Sequence, residues 1–567
     1  EDQDINPGSL VGRNVTLWIT RRDGERAPIN GFVKRFEAGR IVMREFREYH
    51  ADIVPWLWFL TRTADCRIFQ DITVPDMLKQ VFSDFGFRDF ETSGLTGTYP
   101  KLEYCVQYRE TVFDFVSRWM EEVGLFYFFR HEAGRHVLVI ADHNVGFKPA
   151  GEAEVRFLQH EPSDITSWQH AYEYRSGRYA QKDFNFETPS ASLVTEERSV
   201  LKLPNVQNFE IFDYPGRYQD ASYGQSLTRL RIEEEEAAYH TVTGGSVCAS
   251  FHPGAKFKLA RHDVPSEVGK SYVLMRVAHQ ASERSYFAEP DVAPTYTNSF
   301  VAVPADTRFR PQRATERPFV HGPQTATVVG PAGEKIYPDK YGRVKLQFHW
   351  DRRGKRDEKS SCWVRVAQNW AGAGWGGVFI PHVGHEVVVS FLEGDPDRPM
   401  VTGRVYNGEN NKAIGLPANK TQSAIRDHSG NEILMEGKDG AQNLGVTAVK
   451  DMNVTVANDY IHNVANGNQL VTIATGDYID NVNKGNRLVT IATGFYTQEV
   501  SAGTATRKSK ETSTIESDSQ VVLQAGKDGK ATLTMKADGT ISLKGTHITI
   551  DGSTVTVKGK PISLNPP

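Results

Sequence analysis

The sequence predicts a mainly β protein that changes style twice along its length, and three observations carry this. Residues 1–300 are dominated by runs alternating apolar and polar side chains, with short helical stripes between them. Alternation at period two is the mark of a half-buried strand. Residues 326–407 hold five strand-sized runs separated by Gly, Pro and Asp, a density that suits a small OB-type barrel. From residue 411 onward aromatics thin out, Thr, Val, Gly and Asn take over, and the chain repeats itself.

In the first part, Asn14–Arg21 and Ile29–Glu37 flank a polar turn and predict a hairpin. A helix is expected from Val74 to Phe85, capped by Thr73, with Leu78, Val81, Phe82 and Phe85 as its apolar stripe. A second is expected over Thr111–Val123, where Thr111 and Asp114 suit a capping box and Phe115, Trp119, Met120 and Val123 form the stripe. "GLFYFFRH" then enters a strand pair ending in "HVLVIAD". Pro253–Gln280 faintly echoes the first hairpin, as a second copy of one β module would.

Residues 301–325, rich in Pro and Arg and without periodicity, read as a linker. The five barrel runs are "GRVKLQFHW", "CWVRVAQNW", "GGVFIPHVG", "HEVVVSFLEG" and "PMVTGRVYN", in a domain bounded at 326–410.

The final part, 411–567, is periodic. "DYIHNVANGNQLVTIATG" runs directly into "DYIDNVNKGNRLVTIATG", an 18-residue repeat. Further on, Ile541, Ile548, Val555 and Ile562 recur at seven, as do Leu543, Ile550, Val557 and Leu564, with Gly545, Gly552 and Gly559 on the same beat. Apolar residues at i and i+2 line one face of a strand and Gly marks each turn. One such unit buries almost nothing alone, so units must stack into a common core. Either one chain winds round three sides, giving a stack near 40 Å, or three chains each supply one side, giving a stack nearer 100 Å, at about 4.8 Å per layer. The thin end, with only Asn565, Pro566 and Pro567 after the last repeat, favours three chains. In that reading Val471, Ile473, Val489, Ile491, Ile541, Leu543, Ile548, Ile550, Val555, Val557, Ile562 and Leu564 form the core, and Leu564–Pro567 present a blunt apolar end to a tip partner.

Composition narrows the functions. The 567 residues carry net charge −4, with 39% hydrophobic and 24% charged residues, which disfavours a nucleic-acid binder. Four widely spaced cysteines read as reduced thiols, with neither metal spacing nor a disulfide framework. The acidic "EDQDINPGSL" is no secretory signal. "HVGHE" (His382–Glu386) lies on a strand–Gly–strand, where the two histidines should diverge rather than bind zinc. "EGDPDRP" (Glu393–Pro399) offers carboxylates for Ca²⁺ or acid/base work, but equally what a turn needs. "IEEEEAA" (Ile232–Ala238) reads as a solvated helix face, and "DRRGKRDE" (Asp351–Glu358) as a charged hairpin tip. Trp350, Trp363, Trp370 and Trp375 are expected in the core or between chains. No catalytic residue, cofactor or metal site emerges.

Tyr337–Asn410 looks very like the OB-fold core of the VgrG family, the spikes of type VI secretion, and "FDYPGRY" (Phe212–Tyr218) and "VGLFYFF" (Val123–Phe129) resemble signatures of that family's hub. The resemblance implies a phage-hub-like domain over 1–300, an OB-fold domain and a triple-stranded β-helix needle. It implies a homotrimer docked on the hexameric Hcp tube protein, with baseplate components, a PAAR-repeat tip protein and effector proteins as further partners. Such a spike is assembled in the bacterial cytoplasm, leaves through the type VI system without a signal peptide, touches the target membrane transiently and is not an enzyme. Two departures stand out. The segment before the first hairpin is shorter than the family's, and "GENNKAIGLPAN" between barrel and repeats is too short for the lysozyme that related phage spikes insert. The alternative from the residues alone is a single-chain β-helix that degrades polysaccharide or binds carbohydrate.

Overall fold

A computed structural model of the chain describes residues 4–21, 23–42, 46–283 and 294–563. It falls into two units, 1–452 and 453–567. In the first unit the expected hairpin forms and gains a third strand. Asn14–Thr20, Arg26–Val42 and Phe46–Val54 make an antiparallel meander. Helix α1 (Val74–Asp84) starts where the Thr73 hydroxyl accepts the Asp76 N–H at 3.2 Å. Leu78, Val81 and Phe82 are buried, whereas Phe85 is 41% exposed because the helix ends just before it. Helix α2 (Val112–Glu122) is capped likewise: Thr111 accepts the Asp114 N–H at 3.0 Å and donates to its carboxylate at 2.6 Å. Phe115, Trp119, Met120 and Val123 all enter the core with Trp56, Leu57 and Leu60. Phe126–Glu132 and Arg135–Ala141 pair antiparallel as expected.

The echo of the first hairpin is a hairpin too. Ala255–His262 and Ser271–Ser282 pair antiparallel, and Thr295–Pro304 adds a third strand, repeating the connectivity of the first meander. This second meander belongs to a six-stranded sheet with Lys148–Phe157, Ile165–Tyr172 and His240–Ser246. Its last strand runs past residue 300, and the next strand, Gln324–Val329, begins inside the segment read as a linker. The barrel's sheet has the order Lys345–Phe348, Gln324–Val329, Glu386–Phe391, Pro399–Val405, Arg365–Val366. Thus "GGVFIPHVG" is not a strand. Its place is taken by Gln324–Val329, while Val378 and Phe379 stay 75% and 49% exposed. Gly-Gly and a Pro break the strand geometry that the apolar letters suggested.

Beyond the barrel, Gln422–Arg426, Glu432–Glu436 and Asn443–Thr447 form a three-stranded antiparallel sheet. The second unit holds one more such sheet, Gln520–Ala525, Ala531–Lys536 and Ile541–Lys544. Before it the chain bends every nine residues, and Gly467, Gly476, Gly485, Gly494 and Gly503 close the bends with φ between 104° and 116°. The 18-residue repeat is therefore two nine-residue units. Only Gly adopts that φ without strain, which explains its fixed place. Among the described residues of 411–563 none is buried, so no coil of this chain encloses its own core. A single-chain solenoid would bury one, so that alternative is not favoured.

Candidate functional site: the junction of the N-terminal region and the barrel

Two of the stretches singled out in the sequence, "EGDPDRP" and "FDYPGRY", meet in space. "EGDPDRP" turns between Glu386–Phe391 and Pro399–Val405, with Glu393 and Gly394 both at positive φ. A Cβ on Gly394 would run into the Phe319 ring, so the position needs Gly for packing as well as for φ. The turn projects three charged side chains into the N-terminal region. The Asp395 carboxylate, 4% exposed, accepts from the Arg217 guanidinium of "FDYPGRY". Arg398 forks onto Asp183 at 3.1 and 2.5 Å, and Asp183 also accepts the Arg217 and Tyr218 N–H groups. Asp397 accepts the Val106 N–H at 2.6 Å. Burial and the adjacent Asp395 charge push the Asp397 pKa up to about 7. Bidentate Arg–carboxylate geometry fixes orientation as well as distance.

A second set of contacts lies beside it. Arg352 and Arg353 of "DRRGKRDE" each reach Asp65 at 3.0 Å, and the Lys359 carbonyl accepts from Gln70 at 2.7 Å. The segment read as a charged tip is thus an inter-domain clamp. Tyr104 and Val106 of the N-terminal region lie in the same buried cluster as Val328, Leu346, Phe348 and Val389 of the barrel. The core is continuous across the junction.

The third set corrects two readings at once. The Pro/Arg segment is no free linker, and the "IEEEEAA" run is no solvated face. Helix α3 (Ala221–Ala237) presents Glu233, 5% exposed, to Arg308 and Arg310 at 2.7 and 2.8 Å. Arg313 donates its N–H to Glu234, and Arg317 pairs with Glu122 of α2 at 2.5 Å. Burial alone would raise the Glu122 pKa, but the Arg317 and Arg231 guanidinium groups outweigh it and hold the carboxyl at about 2. Residues 305–320 therefore form an arginine strap tied down on an acidic bed.

The remaining candidates fall into place. The rings of His382 and His385 do not diverge. They stack at 5.1 Å, and His428, which the sequence reading passed over, stands edge-on to His382 at 5.4 Å. Among the described residues no group of His, Cys, Asp and Glu is arranged to hold a metal ion. Trp350 stacks on Phe348 in the barrel, and Trp363 packs against Tyr337. Trp370 and Trp375 are 65% and 58% exposed. Of the expected core residues, Val471, Ile473, Val489, Ile491, Ile541, Leu543, Ile548, Ile550, Val555, Val557 and Ile562 are between 44% and 69% exposed in the single chain. Leu564, Asn565, Pro566 and Pro567, the expected tip contact, lie outside the described residues. A cleft of about 1070 Å³ is lined by Arg308 with Glu233 and by Lys270, whose partner is Glu267. Paired ions of this kind brace a fold.

Residues 1–285 match the phage tail baseplate hub (GPD) family, and residues 325–406 match the type VI secretion system/phage-baseplate injector OB domain. The chain belongs to the VgrG spike family. It is 41% identical over 478 residues to the type VI secretion system spike protein VgrG1b of Pseudomonas aeruginosa, which is 82% of this chain and 64% of that one. To VgrG1a of the same organism it is 41% identical over 477 residues, 81% of this chain and 73% of that one. The aligned part is thus just under two thirds of VgrG1b. An E. coli type VI secretion component, described as similar to the phage T4 tail proteins gp27 and gp5, shares the fold with TM-score 0.51 at 21% identity. That match covers 71% of this chain and 90% of the other. In VgrG terms, the salt-bridged junction joins hub to OB domain.

Proposed function

We propose that this chain is a cell-puncturing spike at the tip of a type VI secretion tube, and that its work is mechanical rather than catalytic. The observation that carries this is the state of residues 453–518. Among the described residues this stretch forms no strand and no backbone-to-backbone hydrogen bond within the chain, while Val464, Ile473, Val482, Ile491 and Val500 recur at nine with 44–48% exposure. Unpaired backbone and half-exposed β-branched side chains demand partners. Three copies wound together supply both, which supports a homotrimer with a triple-stranded β-helix needle. Threonine, lysine and asparagine then face water, and Val, Ile and Leu fill the axis.

In this reading the hub region sits on the Hcp tube protein among baseplate components, and the needle end takes a PAAR-repeat tip protein. Effector proteins ride with the spike from the bacterial cytoplasm into the target cell, with transient membrane contact. The arginine-laced junction supports the load path, because contraction must reach the needle through it. Light scattering of the full chain at low concentration tests the reading. A particle of three times the 63.5 kDa chain is expected, and a monomer of that mass overturns it.

A further inference from the structure

The segment Val366–Val383 contains no charged residue, in a chain where 24% of residues are charged. Its tip is aromatic and exposed, yet built. Gly372 donates to the Trp375 carbonyl at 2.9 Å, Gly377 donates to the Trp370 carbonyl at 2.9 Å, and the Phe379 N–H is taken by Gln368 at 2.9 Å. The two indoles stand edge to face at 5.2 Å. A braced loop that holds two tryptophans in water presents a contact surface at little entropic cost.

The three-stranded sheet over 422–447 carries a second apolar patch. Its register sets Ile425, Ile433 and Val446 in one row and Met435 and Leu444 in the next, all on one face. These five are 42–66% exposed, and the opposite face, with Glu432, Leu434 and Glu436, is the better covered one. Patch and loop are neighbours in the same unit. His382 at the end of the loop touches His428 in the turn of the sheet, and Asn410 donates to the Gly384 carbonyl at 2.9 Å.

A ring of identical chains is closed by a heterologous interface, in which one patch of each copy meets a different patch of the next. We propose that Trp370 and Trp375 of one copy seat on the Ile425–Ile433–Leu444 sheet face of the next copy, locking the OB domains at the base of the needle. The proposal rests on the trimeric reading above. It adds where the copies grip one another outside the needle. The partner is a second copy because both patches adjoin the start of the segment that itself needs copies to complete it.

The test uses the full chain with the photoreactive benzoylphenylalanine at position 375, prepared as a mixture of isotopically heavy and light copies. The expected result is a heavy–light cross-link whose peptides map 375 to 422–447, lost on Leu444→Asp. A particle that is trimeric by light scattering but cross-links at 375 only within one chain, to the hub, or to another protein overturns the inference and leaves the trimer standing. A monomeric wild-type particle removes the trimer, and the inference with it.

Discussion

Arg217 and Asp395 are 178 residues apart in sequence and form one ion pair. With Asp395 buried, removing the Arg217 cation leaves its carboxylate only the longer contact with Arg398 at 4.0 Å. Arg217→Ala is expected to cost about 3–5 kcal/mol, read as a lowered denaturation midpoint, and Arg217→Lys less. Asp397 behaves oppositely. Its carboxyl rises from an ordinary 3.8 to about 7 in the fold. The folded chain therefore holds a proton that the unfolded chain releases between those values. On this group's account stability declines as pH rises through that window and is level above it. Asp397→Asn keeps an oxygen for the Val106 N–H and removes the charge, so it should flatten that slope. Chemical denaturation at pH 5 and pH 8 checks this, and an unchanged slope refutes the assignment. Neither role was legible beforehand. "EGDPDRP" has the letters of a turn or a calcium loop, and only the partners across the junction decide between them.

At the scale of elements, both helix starts were legible because capping is local: Thr73 and Thr111 act within three residues of themselves. The strap was not. Its arginines look like those of any polar linker until the acidic face of α3 and Glu122 of α2 are brought beneath them. Arg317→Ala leaves Glu122 with one cation fewer. It should make the 305–320 strap cleavable by trypsin under native conditions at rates well above wild type, with little change in residues 453–567. Equal cleavage would mean that Arg308 and Arg310 on Glu233, Arg313 on Glu234 and Thr315 on Glu121 hold the strap without Arg317. The nine-residue beat was in the letters too, but the near-identity of alternate units hid it behind an 18-residue one.

For the whole molecule, the shared core of Tyr104 and Val106 with Val328 and Leu346 predicts that hub and OB domain unfold in one transition. Calorimetry of the full chain should show no separate OB event, and a resolved one would disprove the continuity. The 453–567 segment buries none of its described residues alone, so its transition should depend on chain concentration. The sequence by itself determined the β-rich class, the helix caps, the barrel strands apart from one and the repetitive tail. Each of these is written in spacing and local hydrogen bonding over a few residues. Only the tertiary structure decided that the acidic run and the Pro/Arg stretch are one clamp, that "EGDPDRP" grips "FDYPGRY", and that none of the tail's described residues is buried within the single chain. Those depend on which charges and faces long-range folding brings together, and no window along the chain contains both partners.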